Sequence, residues 1–152
     1  MKTLGNILWH FPFFGFISAI INYLLGLLLV VTLIGAPIGL GLMEYGKFLL
    51  WPFGNEMVSK NEINANINKL WNAYGFIIRA LYFPFGLIFC IIGVIQVVLL
   101  FCSILGIPAA IVVAKSLGTY FNPVNKICVN SSMVQELQRR KASSQVDKMI
   151  KN

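Results

Sequence analysis

Leu33-Ile34-Gly35-Ala36-Pro37 returns 71 residues later as Ile104-Leu105-Gly106-Ile107-Pro108, and the reading of this short apolar stretch decides the fold. Each Gly-x-Pro follows a long uncharged apolar run and precedes a shorter apolar run that carries one or two charges. Each therefore reads as the bend of a membrane hairpin. Sliding the chain by the same interval also aligns Phe14 with Phe85, Gly15 with Gly86, Ile17 with Ile88, Pro52 with Pro123 and Val58 with Val129. Gly and Pro landmarks in register are hard to obtain by accident in an apolar chain, so the spacing predicts two copies of one unit.

Composition places both copies in lipid. Of 152 residues, 58% are hydrophobic and 11% charged, and the mean hydropathy is +0.80, too apolar for an ordinary soluble domain. No charge falls between Lys2 and Glu44, or from Ala80 to Ala114. About 20 apolar residues suffice to cross ~30 Å of hydrocarbon. All twelve Lys and Arg lie at the N-terminal tip, between Lys47 and Arg79, or from Lys115 onward. The positive-inside rule then puts both termini on the cytoplasmic side and turns both bends away from it. The expectation is an all-α integral membrane protein of two tandem hairpin repeats in the same orientation, with amphipathic interfacial helices.

On this reading residues 1–58 form the first hairpin, 59–75 an amphipathic cytoplasmic connector helix, 76–129 the second hairpin and 130–152 a basic cytoplasmic tail. The connector opens with a capping box, Ser59-Lys60-Asn61-Glu62. Ile63, Ile67, Leu70, Trp71 and Tyr74 follow on one face, Asn64, Asn68 and Asn72 on the other, and Gly75 reads as its end. Ser132 to Gln135 reads as a second capping box. The aromatic clusters around Pro12 and Pro84 fit the headgroup level.

Gly35, Pro37, Gly106 and Pro108 are the turn residues. Asn22, Glu44, Lys47, Gln96 and Lys115 are the candidate membrane-embedded polar residues; in lipid such groups face a partner helix, snorkel, or line a polar cavity. Glu44 and Lys47 are three apart and share a helix face. Lys115 falls opposite Glu44 in the repeat, which suggests an ion pair between copies. Ala110, Ala114 and Gly118 recur every four residues, a stripe on which helix backbones approach closely.

An enzyme is not expected: five acidic residues, one His and three separated Cys supply no metal-ligand set and no nucleophile with its base. No catalytic residue, metal or cofactor is assigned. The basic tail suits anionic lipid, and nucleic acid is not an expected partner of a chain this apolar. Two functions compete. One is a non-catalytic membrane component that self-associates as a homo-oligomer or supports another membrane protein. The other is an oligomeric conduit for ions or small solutes, with the helix N-termini near Ile38 and Ala109 turned toward anions.

Asn6-Ile7-Leu8-Trp9, Thr32 to Gly39, Leu50-Trp51-Pro52-Phe53-Gly54 and Asn122-Pro123-Val124 resemble the YccF family of bacterial inner-membrane proteins, built from two copies of a small inner-membrane component domain. Ala36 stands where that family more often has isoleucine, as Ile107 does in the second copy. The resemblance implies a multi-pass protein of the bacterial inner membrane and brings no established activity to any residue.

Overall fold

A computed structural model describes residues 2–63 and 69–150. The chain runs α1 (Lys2–His10), α2 (Gly15–Val31), α3 (Ala36–Leu50), β1 (Asn55–Ser59), α4 (Lys60–Ile63), α5 (Lys69–Phe101), a 3-10 turn (Ile104–Gly106), α6 (Ile107–Phe121), β2 (Lys126–Asn130) and α7 (Ser131–Ile150). The helical membrane class holds. α5, and Ile104–Phe121 taken together, are long and apolar enough to cross a bilayer, and α1 with α2 makes a third such stretch bent by 79°. α3, at 15 residues, is about 22 Å long at ~1.5 Å per residue and falls short of the hydrocarbon thickness.

Two hairpins carry the fold. α2 packs along α3, and the approach is closest at glycines: a Cβ on Gly26 would stand 2.6 Å from the Gly39 carbonyl oxygen, and one on Gly46 2.9 Å from that of Ala19. α5 packs on α6 in the same way, where a Cβ on Gly86 would run into the Phe121 carbonyl oxygen. Close backbone approach through glycine is what holds helices together where lipid removes the hydrophobic drive between them.

The bends differ in detail from a turn at Gly-x-Pro. Gly35 has an ordinary helical φ of −80° and caps α3, with proline in the first turn, where its missing N–H costs nothing. The left-handed residue is Leu33, at φ 60°. Gly35 is needed for room, because a Cβ there would lie 3.0 Å from the Leu29 carbonyl oxygen. Gly106 caps α6 likewise, with Pro108 behind it and Leu100 against it.

An unforeseen element joins the halves. β1 and β2 pair antiparallel, from Asn55 opposite Asn130 to Ser59 opposite Lys126, with Met57 facing Cys128 at the centre. The ladder extends at both ends through Lys60 N–H to the Asn125 carbonyl and Ser131 N–H to that of Gly54. α3 and α6 begin and end 71 residues apart, as do β1 and β2. Met57 and Cys128, also 71 residues apart, thus pair at the centre of the ribbon.

The halves differ at their openings. α1 is folded away from α2 at Pro12 and a left-handed Phe14, φ 52°, whereas α5 runs unbroken through Pro84. The reason lies in hooks that only the first half carries. Trp9 Nε1 donates to the Leu49 carbonyl (2.9 Å), His10 Nε2 to that of Leu50 (2.9 Å), and Asn6 Oδ1 accepts from Phe53 N–H (3.1 Å). Three polar side chains of α1 thereby satisfy backbone groups at and just beyond the end of α3. Ile77, Ala80 and Leu81 stand 71 residues later and offer no such groups.

α5 also runs through Gly75, where the sequence suggests a helix end. Gly75 instead admits close packing against Asn125 and Val124. A helix does follow Ser59, but the predicted face residues Asn64, Ile67 and Asn68 lie outside the described residues. At α7 the cap is Asn130, whose Oδ1 accepts from Ser132 N–H, rather than Ser132 itself.

Candidate functional site

The core sits where α3 and α6 meet below the ribbon: Trp9, Ala19, Tyr45, Phe48, Leu49, Ala109 and Val112, with Met57 and Cys128 packed against it. At its centre is a hydroxyl relay. Ser116 Oγ donates to the Val112 carbonyl (2.7 Å) and so accepts from Tyr45 Oη (3.0 Å), which lies 3.0 Å from Tyr120 Oη. Tyr45 is 3% exposed and Ser116 not at all. Buried polar groups need such partners, and here the partners come from both halves of the chain. The tyrosines were not singled out in the sequence, although Tyr45 and Ser116 stand 71 residues apart.

The five candidate polar residues are dispersed. Glu44 pairs with Lys47, and its other oxygen accepts from Cys128 N–H (3.1 Å). It thus ties α3 to the β2 strand. Lys115 does not meet Glu44; it donates to the Pro52 carbonyl (3.2 Å) and lies 3.5 Å from that of Asn55. The suggested ion pair between copies is absent because each charge reaches across to backbone of the opposite half. Asn22 Nδ2 donates to Ser18 in its own helix (2.8 Å). It borders a cavity of about 280 Å³ shared with Tyr45, Tyr82, Phe89 and Thr119. Gln96 is exposed on α5 beside Trp9, Phe13 and Ala109.

Of the small-residue stripe, Ala110 is fully buried, whereas Ala114 and Gly118 are exposed. The face of α6 that packs within the chain is Ala109, Val112, Ser116 and Thr119. Tyr74 supplies a further surprise. It falls in the connector expected on the cytoplasmic side, yet its hydroxyl donates to the Leu33 and Ile34 carbonyls, 3.1 Å each. The first bend lies beside the connector, not a membrane thickness away from it.

On the ribbon, burial pushes the Cys128 thiol up to about 11, and the Glu44 carboxylate adds to the shift. Such a thiol is inert rather than nucleophilic. Among the described residues no three of His, Cys, Asp and Glu gather as a metal would require.

Residues 4–55 match the YccF inner membrane component domain. Over 144 residues the chain is 28% identical to the inner membrane protein YccF of Escherichia coli (strain K12), covering 93% of this chain and 97% of that one. The chain is thus similar to YccF proteins, by family model across its first hairpin and by sequence along nearly its whole length. A YccF protein of Shigella flexneri matches over the same extent at the same identity. No solved structure matches the chain. The likeness to inner-membrane proteins and the apolar helices both support a location in the inner membrane.

Proposed function

We propose that the chain is a non-catalytic, multi-pass component of the inner membrane that self-associates or supports another membrane protein. One observation carries this reading: Asn22, Glu44, Lys47 and Lys115 are all engaged by groups of the chain itself. Among the described residues they gather into no cluster that could hold a metal. The surface is the reverse. Most of the outward side chains of α2 and of α5 beyond Ala80 are large and apolar, and Gln96 has no hydrogen-bond partner among the described residues. An amide at that depth gains by pairing across a helix contact.

The chain is organised as two copies of one hairpin unit, 1–58 and 76–129, joined by 59–75 and followed by a basic tail, 130–152, on anionic lipid. Both copies enter from one side and return to it, so both termini are cytoplasmic. The contact of Tyr74 with the first bend and the shortness of α3 support a first hairpin that is re-entrant rather than crossing. Crosslinking in native membranes and native mass spectrometry from lipid nanodiscs test the reading. A homo-oligomer weakened by Gln96→Leu, or a defined co-purifying membrane protein, is expected. A monomer alone contradicts it, and anion flux through proteoliposomes would favour a conduit.

A further inference from the structure

We propose that Arg79 and Lys126 form a binding site for the phosphate of an anionic lipid headgroup, beside Gly118 where α5, α6 and β2 meet. Arg79 is the last charge before the apolar run that begins at Ala80, which sets it at headgroup depth. Its Nε is buried and has no acceptor among the described residues, although a buried guanidinium N–H without a partner is costly. Lys126 reaches from β2 toward α6. Its Nζ lies 4.0 Å from where a Gly118 Cβ would stand, the nearest group from outside the local helix backbone among the described residues, so the surface at Gly118 is open.

Neither cation is in an ion pair among the described residues, where the pairs are Lys47 with Glu44 and Arg140 with Glu136. Burial lowers the Lys126 ammonium below its usual value; Glu62 of α4 pulls it part of the way back, and the Arg79 charge presses it down again. Arg79 lies on α5 between Gly75, which packs against Val124 and Asn125, and Tyr82, whose hydroxyl donates to the Tyr120 carbonyl, so α5 carries it alongside the segment that leads into Lys126. Two neighbouring cations that lose solvent and repel each other are held at a cost that a shared oxyanion removes. The guanidinium fork and the compact ammonium are complementary donors for phosphate oxygens. The first half has no counterpart, since Leu8, Lys47 and Asn55 occupy the equivalent positions and Glu44 neutralises Lys47. The site requires the chain to lie in the membrane but not to self-associate, so a monomeric chain retains it.

The test uses the full chain in nanodiscs and detergent. Native mass spectrometry follows retention of phosphatidylglycerol by wild type, R79Q, K126Q, the double variant, and a tail variant with Arg139, Arg140 and Lys141 changed to Gln. Each site substitution is expected to weaken retention roughly fivefold, the worth of one near-surface charge, in addition to whatever the tail charges contribute on their own. Equal retention by the double variant, or loss confined to the tail variant, overturns the proposal. Inorganic phosphate is titrated into delipidated protein as a second arm, and stabilisation by phosphate at least equal to that by phosphatidylglycerol overturns the lipid assignment. A third measurement needs no variant: the Lys126 ammonium, followed by nitrogen-15 NMR, titrates at higher pH in phosphatidylglycerol than in phosphatidylcholine nanodiscs. An unmoved midpoint refutes the site.

Discussion

Gly41 is where α3 comes nearest to the backbone of the second half, at Pro123, and replacing it with alanine gives the sharpest stability test. A Cβ there would fall on the Pro123 carbonyl oxygen and 2.8 Å from its carbon, whereas comfortable carbon contacts begin at about 3.5 Å. The obstacle is backbone, so no rotamer relieves it. Pro123 is itself held by the hydrogen bond that its carbonyl accepts from Lys126 N–H (3.4 Å). α3 must move away from the second half by about an ångström, loosening the core beneath it, at the ~1–3 kcal/mol typical of overpacking. Gly118→Ala is the internal control: its Cβ meets only Lys126 Nζ at 4.0 Å, and alanine favours a helix by up to ~1 kcal/mol over glycine. Reversible unfolding in mixed micelles, followed by circular dichroism, measures both. The expectation is a clear loss for Gly41→Ala and no loss for Gly118→Ala. Equal stability of Gly41→Ala and wild type would refute the contact between α3 and the segment following α6.

The hooks of α1 are separable. Trp9→Phe removes the donor to a buried carbonyl and should cost ~1–2 kcal/mol in the same assay, whereas His10→Ala, at an exposed carbonyl, should cost less; the reverse order contradicts the assignment. Tyr45→Phe breaks the relay between α3 and α6 and should cost about 1 kcal/mol, while Ser116 keeps its bond to Val112; no loss would mean that the relay contributes nothing to stability. With its thiol raised from 9.0 to about 11, Cys128 should carry about a hundredfold less thiolate at pH 8 than an ordinary thiol. Its alkylation should keep rising about tenfold per pH unit until near pH 11. A plateau near pH 9, read by peptide mass spectrometry, would show that burial does not control it.

The membrane class and the helical hairpins were legible because twenty-residue charge-free runs and Gly-x-Pro marks are strong local signals. The ribbon was not. Asn55-Glu56-Met57-Val58-Ser59 and Lys126-Ile127-Cys128-Val129-Asn130 are five-residue segments of mixed character, and only their pairing across the two halves makes them strands. The hooks of α1 were hidden for a related reason. His10 and Asn6 look like interfacial polar residues until the end of α3 comes beside them, some forty residues on. The packing glycines were in principle visible, since Gly39 and Gly46 share a spacing of seven with Gly86 and Gly93, but Ala110, Ala114 and Gly118 gave the more regular pattern. Charge position could be read, but charge partnership could not. Glu44 and Lys115 occupy equivalent positions and serve opposite needs, one accepting from a strand N–H and the other donating to carbonyls.

The central claim is that the two halves of one chain meet in the ribbon, with Met57 opposite Cys128. Glu44 takes the Cys128 N–H and the flanking pairs carry the ladder bonds. This is therefore a non-hydrogen-bonded pair, with Cα atoms about 4.5 Å apart, close enough for a disulfide. Met57→Cys is placed in a chain whose Cys90 and Cys102 are serine, and inner membranes are oxidised with copper phenanthroline at pH 9. An intramolecular crosslink, seen as a reducible mobility shift of the monomer, is the predicted result. Failure to form it, or a crosslink found only between chains, would contradict the account.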